Sequence, residues 1–161
     1  MPDPSQAIRN TVEVNIISVL KMTQLILPEM VKKQRGLIIN VSSGGCVAPL
    51  PSLAVYGATK SFVDYFSRCI SHEYEVEGIK AVCIMPYFVS SNLTLNAKPN
   101  FWLRSAKDYV RNVLAVTTTS TRWSHGCWQH DVHGWMGRNL PHKVYATSIG
   151  LVLQRIKNKQ M

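Results

Sequence analysis

Two short, almost wholly apolar runs limit what this chain can fold into. Residues 37–41 (Leu-Ile-Ile-Asn-Val) lie between Gly36 and a Ser-Ser-Gly-Gly turn, and residues 79–85 end at Pro86. Runs of this length without polar alternation are typical of strands buried on both faces of a parallel sheet. We therefore predict two neighbouring parallel strands of an α/β fold.

Amphipathic segments flank and separate these runs. Residues 8–28 repeat apolar side chains at spacings of three and four, and Pro28 followed by Gly36 marks the end of a predicted helix. Residues 55–77 repeat the pattern up to Gly78, so a second helix is predicted there. The order helix, strand, helix, strand predicts a right-handed crossover. Farther along, helices are predicted over residues 104–116 and 142–156, residues 87–100 are predicted to be an irregular loop, and residues 123–139 show no clear pattern.

Polar side chains that carry chemistry cluster around the end of the first strand. Ser42 and Ser43 follow that strand directly, at the carboxyl edge where open parallel sheets hold their ligands. Tyr56 and Lys60 are four residues apart on the second predicted helix. That spacing places both side chains on one face, with Cβ atoms about 5–6 Å apart. We expect these residues to form one site.

The chemistry of such a site is proton transfer at a carbonyl or hydroxyl oxygen. A tyrosine with the reference pKa of about 10 is a poor acid–base group at neutral pH. A neighbouring ammonium group favours the phenolate, so Lys60 would prepare Tyr56 to give or take a proton. The hydroxyl of Ser43 could hydrogen-bond the same oxygen and stabilise its developing charge. Without the serine, a Tyr-x-x-x-Lys spacing on a helix is more often an ordinary surface feature.

A serine thirteen residues before Tyr-x-x-x-Lys resembles the short-chain dehydrogenase/reductase family. That family's tetrad is completed by an asparagine in the preceding helix, and Asn15 occupies the matching place. After the next strand the family has Pro-Gly-x-Val-x-Thr, whereas this chain has Tyr87 for the glycine and Ser91 for the threonine. The variant resembles the 17-beta-hydroxysteroid dehydrogenase branch and, within it, types 12 and 3, which reduce very-long-chain 3-oxoacyl-CoA and steroid 17-ketones.

The resemblance implies a role for each matching residue. Tyr56 would protonate the substrate carbonyl as hydride arrives from NADP(H). Ser43 would hold the substrate oxygen, and Asn15 would anchor a proton-relay water. Tyr56 and Lys60 would also hold the nicotinamide ribose. Further cofactor contacts are implied for the segment after the second strand, at Pro86, Val89 and Ser91.

The resemblance also implies that part of the fold is absent. The 161 residues contain no Gly-rich turn of the type that holds a cofactor pyrophosphate. The expected fold class is therefore α/β, a partial Rossmann-like doubly wound parallel sheet without the N-terminal βαβ half that binds the dinucleotide. Residues 1–95 would be the C-terminal half of the catalytic domain, and residues 96–161 a substrate lid and a helical region with a basic tail. An unpaired sheet edge and an uncovered sheet face are expected.

Basic side chains exceed acidic ones by nine, and after Asp131 every charged side chain is a lysine or an arginine. Such a tail suits a membrane surface or another anionic partner. The sequence lacks RNP, KH and zinc-finger patterns, so no nucleic-acid partner is predicted. Lys157 and Lys159 resemble a dilysine retrieval signal, which together with the branch resemblance predicts the cytosolic face of the endoplasmic reticulum. The alternative is a frayed, solvated tail.

Cysteine and histidine patterns predict packing rather than metal binding. The four cysteines form no C-x-x-C pair and lie in apolar segments, which predicts reduced thiols. One stretch of nine residues holds His125, Cys127, His130 and His133. Their spacing fits no common zinc module, so no metal site is predicted.

Two functions stay open at this point. One is NADPH-dependent reduction of a lipid ketone, a 3-oxoacyl-CoA or a 17-ketosteroid, with the chain alone expected to be inactive because it lacks the phosphate-binding turn. The other is a non-catalytic role by association with a full-length enzyme. Family dimers pair two long helices, which here would be residues 8–28 and 55–77, so a homodimer is also expected.

Overall fold

The computed structural model describes residues 3–94, 96–119 and 121–158. Its helices are α1 (Pro4–Val12), α2 (Ser18–Lys32), α3 (Ala54–Glu73), α4 (Ala106–Thr117), α5 (Trp128–Asn139) and α6 (His142–Asn158). Its strands are β1 (Gly36–Val41), β2 (Ile79–Ile84), β3 (Val89–Ser90), β4 (Arg104–Ser105) and β5 (Trp123–Ser124). A π-helical turn (Glu13–Ile17) joins α1 to α2.

The two predicted strands pair in parallel. Gly36 lies opposite Ile79, and Val41 lies opposite Ile84, so β1 and β2 run side by side over their whole length. The short strand β5 extends the sheet on the other side of β2. The α/β class and the parallel pair predicted from the sequence are therefore confirmed, with β2 as the central strand.

The first long helix extends beyond its predicted end. Pro28 lies inside α2, which continues to Lys32, so the prediction that Pro28 closes the helix is wrong. A proline in a helix removes one backbone hydrogen bond and crowds the preceding turn. The last turns of α2 are held by packing against the core residues Ile38 and Ile70, and this contact outweighs the loss. The residues of α2 that pack there are Ile26, Leu27, Met30 and Val31.

The second long helix is shorter than predicted. It ends at Glu73 rather than at residue 77, and a turn leads to Gly78. Gly78 has a φ of 69°, in the left-handed region, and a Cβ there would lie 2.2 Å from the carbonyl oxygen of Gln34. Only glycine fits this turn, which feeds directly into β2.

The two paired strands differ in burial. Five of the six residues of β2 are buried, as predicted. The prediction that β1 is buried on both faces is wrong, because its alternate residues are exposed: Leu37 by 45%, Ile39 by 39% and Val41 by 56%. These side chains and α2 line an open groove of about 360 Å³. The expected uncovered sheet face is therefore present within the described residues.

The second half of the chain is more regular than the sequence pattern suggests. Residues 87–100, predicted to be irregular, contain β3 and a 3₁₀ turn (Asn92–Thr94), and β3 pairs in parallel with β4. Residues 123–139 form β5 and α5. Helices predicted at 104–116 and 142–156 are confirmed as α4 and α6, with their ends moved by one or two residues.

Candidate active site

The loops that follow β1 and β2 meet at the carboxyl edge of the sheet. The backbone N–H of Ser42 donates to the carbonyl of Ile84 at 2.7 Å, and that of Gly44 donates to the carbonyl of Pro86 at 2.8 Å. These two bonds continue the strand pairing past the end of the sheet. They bring the serine loop against the segment that begins at Pro86.

Ser43 and Tyr56 face each other across Gly45. A Cβ at Gly45 would lie 3.4 Å from Ser43 Oγ and 3.7 Å from Cε1 of Tyr56. A Cβ at Gly57, the next residue of α3, would lie 3.3 Å from the carbonyl oxygen of Gly45. The two glycines let the serine loop approach the start of α3, which puts the hydroxyl of Ser43 beside the ring of Tyr56.

Lys60 is held between α3 and the end of β1. Its Nζ donates to the carbonyl of Val41 at 3.1 Å and lies 5.9 Å from the centre of the Tyr56 ring. The hydroxyl of Ser42 donates to the backbone carbonyl of Lys60 at 2.6 Å. Burial lowers the pKa of Lys60, which is half-buried. The bond to the Val41 carbonyl holds Nζ near the phenol ring.

Asn15 reaches this site from the π-helical turn between α1 and α2. Its Nδ2 donates to Thr59 Oγ1 at 3.0 Å, and Thr59 Oγ1 donates to the carbonyl of Tyr56 at 2.8 Å. A π turn interrupts the regular i to i−4 bonding of a helix, and such turns are frequent at functional sites. The structure therefore brings together the four predicted catalytic residues, Asn15, Ser43, Tyr56 and Lys60.

The three residues predicted to contact a cofactor along the loop after β2 are placed differently from one another. Pro86 lies against Gly44 through the backbone bond described above. Val89 packs on the core formed by Val82 and Ile84. Ser91 is exposed, and its N–H donates to Thr94 Oγ1 at 2.9 Å. Of these three residues, Pro86 is the one bonded directly to the serine loop.

Tyr87 stands where the family motif has glycine, and its surroundings explain the substitution. The ring lies flat over Gly44, where an added Cβ would come within 2.4 Å of Tyr87 Cζ. Three imidazole rings surround the same tyrosine, with centroids 5.7 Å away for His125, 5.8 Å for His130 and 5.1 Å for His133. Burial raises the pKa of the Tyr87 hydroxyl well above its usual value. The ring of Tyr87 therefore packs between the serine loop and α5.

The histidines pack and hydrogen-bond rather than converge on one point. His130 is completely buried: its Nε2 lies 3.3 Å from the carbonyl of Phe88, and its Nδ1 accepts the N–H of Tyr87 at 3.3 Å. The carbonyl of His125 also lies 3.3 Å from Nδ1, so three backbone groups contact the two ring nitrogens. Burial lowers the pKa of His130 to about 4. Within the described residues, no group of three or more His, Cys, Asp or Glu side chains is arranged to hold a metal ion.

Several residues support this site in ways that the sequence did not predict. Ser42 is buried and bonded to Lys60, whereas Ser43 is half-exposed, so the two adjacent serines have different environments. Thr59 is buried and links Asn15 to α3. A signal for Thr59 existed, because it lies within the Tyr-x-x-x-Lys motif. No local signal marks the role of His130, because two of its three backbone partners, Tyr87 and Phe88, lie more than forty positions away.

Comparison with known proteins places this geometry in context. A family model described as short chain dehydrogenase matches residues 3–100. The very-long-chain 3-oxoacyl-CoA reductase of Macaca fascicularis is 39% identical over 145 residues, which cover 90% of this chain and 46% of that protein. The reductase of the same name from Anas platyrhynchos is 37% identical and covers 100% of this chain and 50% of its own length. The hydroxysteroid dehydrogenase-like protein 1 of Gallus gallus is 34% identical, covering 84% of this chain and 42% of itself.

Solved structures agree on the fold. A short chain dehydrogenase from Burkholderia cenocepacia in complex with NADP superposes with a TM-score of 0.72 at 22% identity, over 86% of this chain and 57% of that one. A short-chain dehydrogenase from Sphingobium yanoikuyae in complex with NADPH gives a TM-score of 0.69 at 20% identity, over 76% and 49%. The chain thus spans about half the length of the curated relatives it matches.

Proposed function

Because this chain belongs to the short-chain dehydrogenase family, in the branch of the 3-oxoacyl-CoA reductases and hydroxysteroid dehydrogenases, we propose that it carries the proton-transfer half of an NADP(H)-dependent ketone reductase. One observation supports this above all others. Ser43 and Tyr56 flank Gly45 at the carboxyl end of β1, with the ammonium group of Lys60 beside the phenol ring.

Each residue has a distinct task in this proposal. Tyr56 gives its phenolic proton to the carbonyl oxygen of the substrate, and the Lys60 ammonium stabilises the phenolate that is left. Ser43 donates a hydrogen bond to the same oxygen as negative charge develops there. Asn15, held by Thr59 near the start of α3, positions a water that returns a proton towards Lys60. We assign these four as catalytic residues.

NADP(H), when bound, supplies the hydride. The residues present fit one end of it: Lys60 directs an ammonium group to the sheet edge, and Pro86 lies against the serine loop, where Val89 and Ser91 continue the same segment. We assign the nicotinamide ribose to Tyr56 and Lys60. A Gly-rich turn for the pyrophosphate is not among the 161 residues, so affinity for the cofactor is expected to be weak in this chain alone.

The substrate proposed is a lipid ketone, either a 3-oxoacyl-CoA or a 17-ketosteroid, on the basis of the names of the relatives. We propose that residues 96–161 form its lid. A homodimer through residues 8–28 and 55–77 is supported by exposed apolar side chains on both helices, including Leu25 (72%) and Tyr65 (69%). Placement at the cytosolic face of the endoplasmic reticulum rests partly on Lys157 and Lys159, and Lys159 lies outside the described residues.

The reductase proposal is tested by NADPH titration of the purified chain, followed by nicotinamide fluorescence, and by NADPH oxidation with a 3-oxoacyl-CoA and a 17-ketosteroid. Tyr56→Phe should lower the turnover rate by about 10²–10⁴-fold, because the proton donor is lost. Tyr65→Phe, on the exposed side of the same helix, should leave the rate unchanged. Turnover that survives Tyr56→Phe would refute the assigned proton donor.

A second function is favoured by the uncovered face of β1. If no NADPH binding is found up to millimolar concentration, we propose that the chain acts without catalysis, by association with a full-length enzyme of its family. Leu37, Ile39 and Val41 would then be buried in that complex. A chain that is monomeric and does not bind such an enzyme in a pull-down experiment would rule this role out.

A further inference from the structure

We propose that an exposed aromatic patch on α5 and on the loop before β4 is a contact surface for an anionic phospholipid bilayer. The patch, called the aromatic patch below, consists of large apolar side chains that are each exposed by a third or more. Its members are Phe101 (52%), Trp102 (44%), Trp128 (59%), Val132 (36%) and Trp135 (60%). Single exposed apolar residues need no explanation, but a contiguous set marks an interaction surface.

The aromatic patch is one continuous surface. The Phe101 ring lies edge-on to Trp102 at 4.9 Å and to Trp128 at 5.2 Å between centroids. Trp128, Val132 and Trp135 follow at spacings of four and three, which places them on one face of α5. The loop and the helix therefore present their aromatic side chains together.

The loop is held in the conformation that exposes these rings. Asn100 Oδ1 accepts the N–H groups of Trp102 at 2.9 Å and Leu103 at 3.0 Å, and the N–H of Asn100 donates to the carbonyl of Leu103 at 2.9 Å. The Trp102 ring also lies 4.7 Å from His133 on the inner side. The exposure of Phe101 and Trp102 is thus built into a bonded turn.

Basic side chains lie next to the loop of the aromatic patch in the sequence and favour an anionic occupant. The segment 98–111 carries one carboxylate, Asp108, against four cations: Lys98, Arg104, Lys107 and Arg111. Lys98 and Arg104 each lie three residues from Phe101, and Lys107 and Arg111 are exposed on α4. On α5 itself, Asp131 is bonded to His125 Nδ1 at 2.9 Å.

This combination of side chains fits a membrane surface. Tryptophan and phenylalanine rings favour the headgroup region, and nearby lysine and arginine side chains are attracted to anionic lipids. The helical run Ser5–Lys32 is also long and apolar enough to cross a membrane. That run is engaged in the fold, because Asn15 bonds Thr59 and Met30 packs on the β1–β2 core. The side chains of the aromatic patch stay exposed by 36–60%, even though Trp102 contacts the His133 ring.

The test is partition of the 161-residue chain between buffer and sedimented vesicles, without cofactor or substrate. The vesicles are pure phosphatidylcholine or phosphatidylcholine with about a third phosphatidylserine. We expect binding to the anionic vesicles. The double substitution Phe101→Ser and Trp102→Ser should lower the partition coefficient at least tenfold. Trp123→Ser is the matched control, because Trp123 is 42% exposed and lies outside the aromatic patch, and it should change binding less than twofold.

A second pair of variants keeps the proposal testable if the double substitution fails to fold. Lys107→Gln and Arg111→Gln alter exposed cations, and each should lower binding to anionic vesicles roughly fivefold, with no effect on neutral vesicles. Lys32→Gln, exposed on α2, is the control and should have no effect.

Three outcomes would overturn the proposal. They are wild-type binding that does not depend on phosphatidylserine, equal binding by the patch and control variants, and a patch variant that loses only self-association in size-exclusion chromatography. The result is separable from the reductase proposal, since vesicle binding needs neither Tyr56 nor NADPH.

Discussion

The strands β1 and β2 have nearly the same apolar composition, length and register, yet they lie in different environments. All six residues of β2 pair with β1, and its side chains are buried on both faces. In β1, Ile38 is buried on one face, whereas Leu37 and Ile39 are exposed on the other. The difference does not come from local preference for the strand conformation. It comes from what covers each strand within the described residues.

Several elements pack together on the far side of β2 from β1. Beyond β2 lie β5, α5 and α6, with Tyr87, His130 and Tyr145 between them. On the exposed side of β1, residues of β1 and α2 line an open groove. An edge strand with an apolar face is a site for pairing with another chain. The comparison therefore predicts that substitutions near β2 cost stability and that substitutions on the open face of β1 do not.

The largest effect is expected from acid. The pKa of His130 is lowered by burial to about 4, while the unfolded chain binds a proton near pH 6.5. Between these values the unfolded state holds more protons, so stability falls as the pH drops from about 6.5 to about 4, by roughly 3 kcal/mol. His125 and His133 shift in the same direction. Urea unfolding measured across this pH range checks the slope.

A matched pair separates this effect from general acid sensitivity. His130→Gln should flatten the pH dependence, because the buried titrating ring is gone. His142→Gln, at an exposed position at the start of α6, should leave it as in the wild type. An unchanged slope in His130→Gln would show that His130 is not the source of acid lability and would leave His125 and His133 as its source.

A smaller effect is expected for the same substitution in the two strands. Val82→Ala removes two buried carbon atoms from a fully covered position and should cost about 2 kcal/mol. Val41→Ala, at a residue that is 56% exposed, should cost less than about 0.5 kcal/mol. Equilibrium denaturation of both variants measures the difference. Equal losses would mean that the open face of β1 is covered in solution.

The smallest effect on stability is expected on the open face itself. Leu37→Thr with Ile39→Thr keeps side chains that suit a strand, so the free energy of unfolding should stay within about 0.5 kcal/mol of the wild type. Light scattering of the concentrated protein should fall, because less apolar surface is exposed on the open face of β1. Ile38→Thr, on the buried face, is the contrasting variant and should destabilise the chain. If light scattering does not change, another surface is responsible for the self-association.

Much of the fold was predictable because local patterns carry it. The spacing of apolar residues located the long helices and the parallel strand pair, and Gly78 marked a turn that only glycine can occupy. Pro28 was misjudged because a proline removes one helical bond, and the pattern does not show the packing of Met30 and its neighbours that compensates. Helix α5 was missed because its exposed tryptophans and buried histidines hide the usual amphipathic pattern.

In the candidate site, too, some features were predicted from the sequence and others required the structure. Motif spacing selected Ser43, Tyr56 and Lys60, and the family resemblance added Asn15. The family is confirmed, while the catalytic roles of these residues stay predictions. The structure was needed to show that the Ser42 hydroxyl donates to the backbone carbonyl of Lys60, whereas Ser43 is half-exposed. It was also needed to show that the histidines surround Tyr87.

The sequence by itself predicted the two long helices, the parallel strand pair and the short-chain dehydrogenase family, because apolar periodicity and motif spacing depend only on the order of residues in the chain. The tertiary structure decided which apolar face is covered, which serine is half-exposed and what the histidines contact. Those properties depend on contacts between residues far apart in the chain, such as Tyr87 with His130. Periodicity shows that a face is apolar, but only packing shows whether anything lies against it.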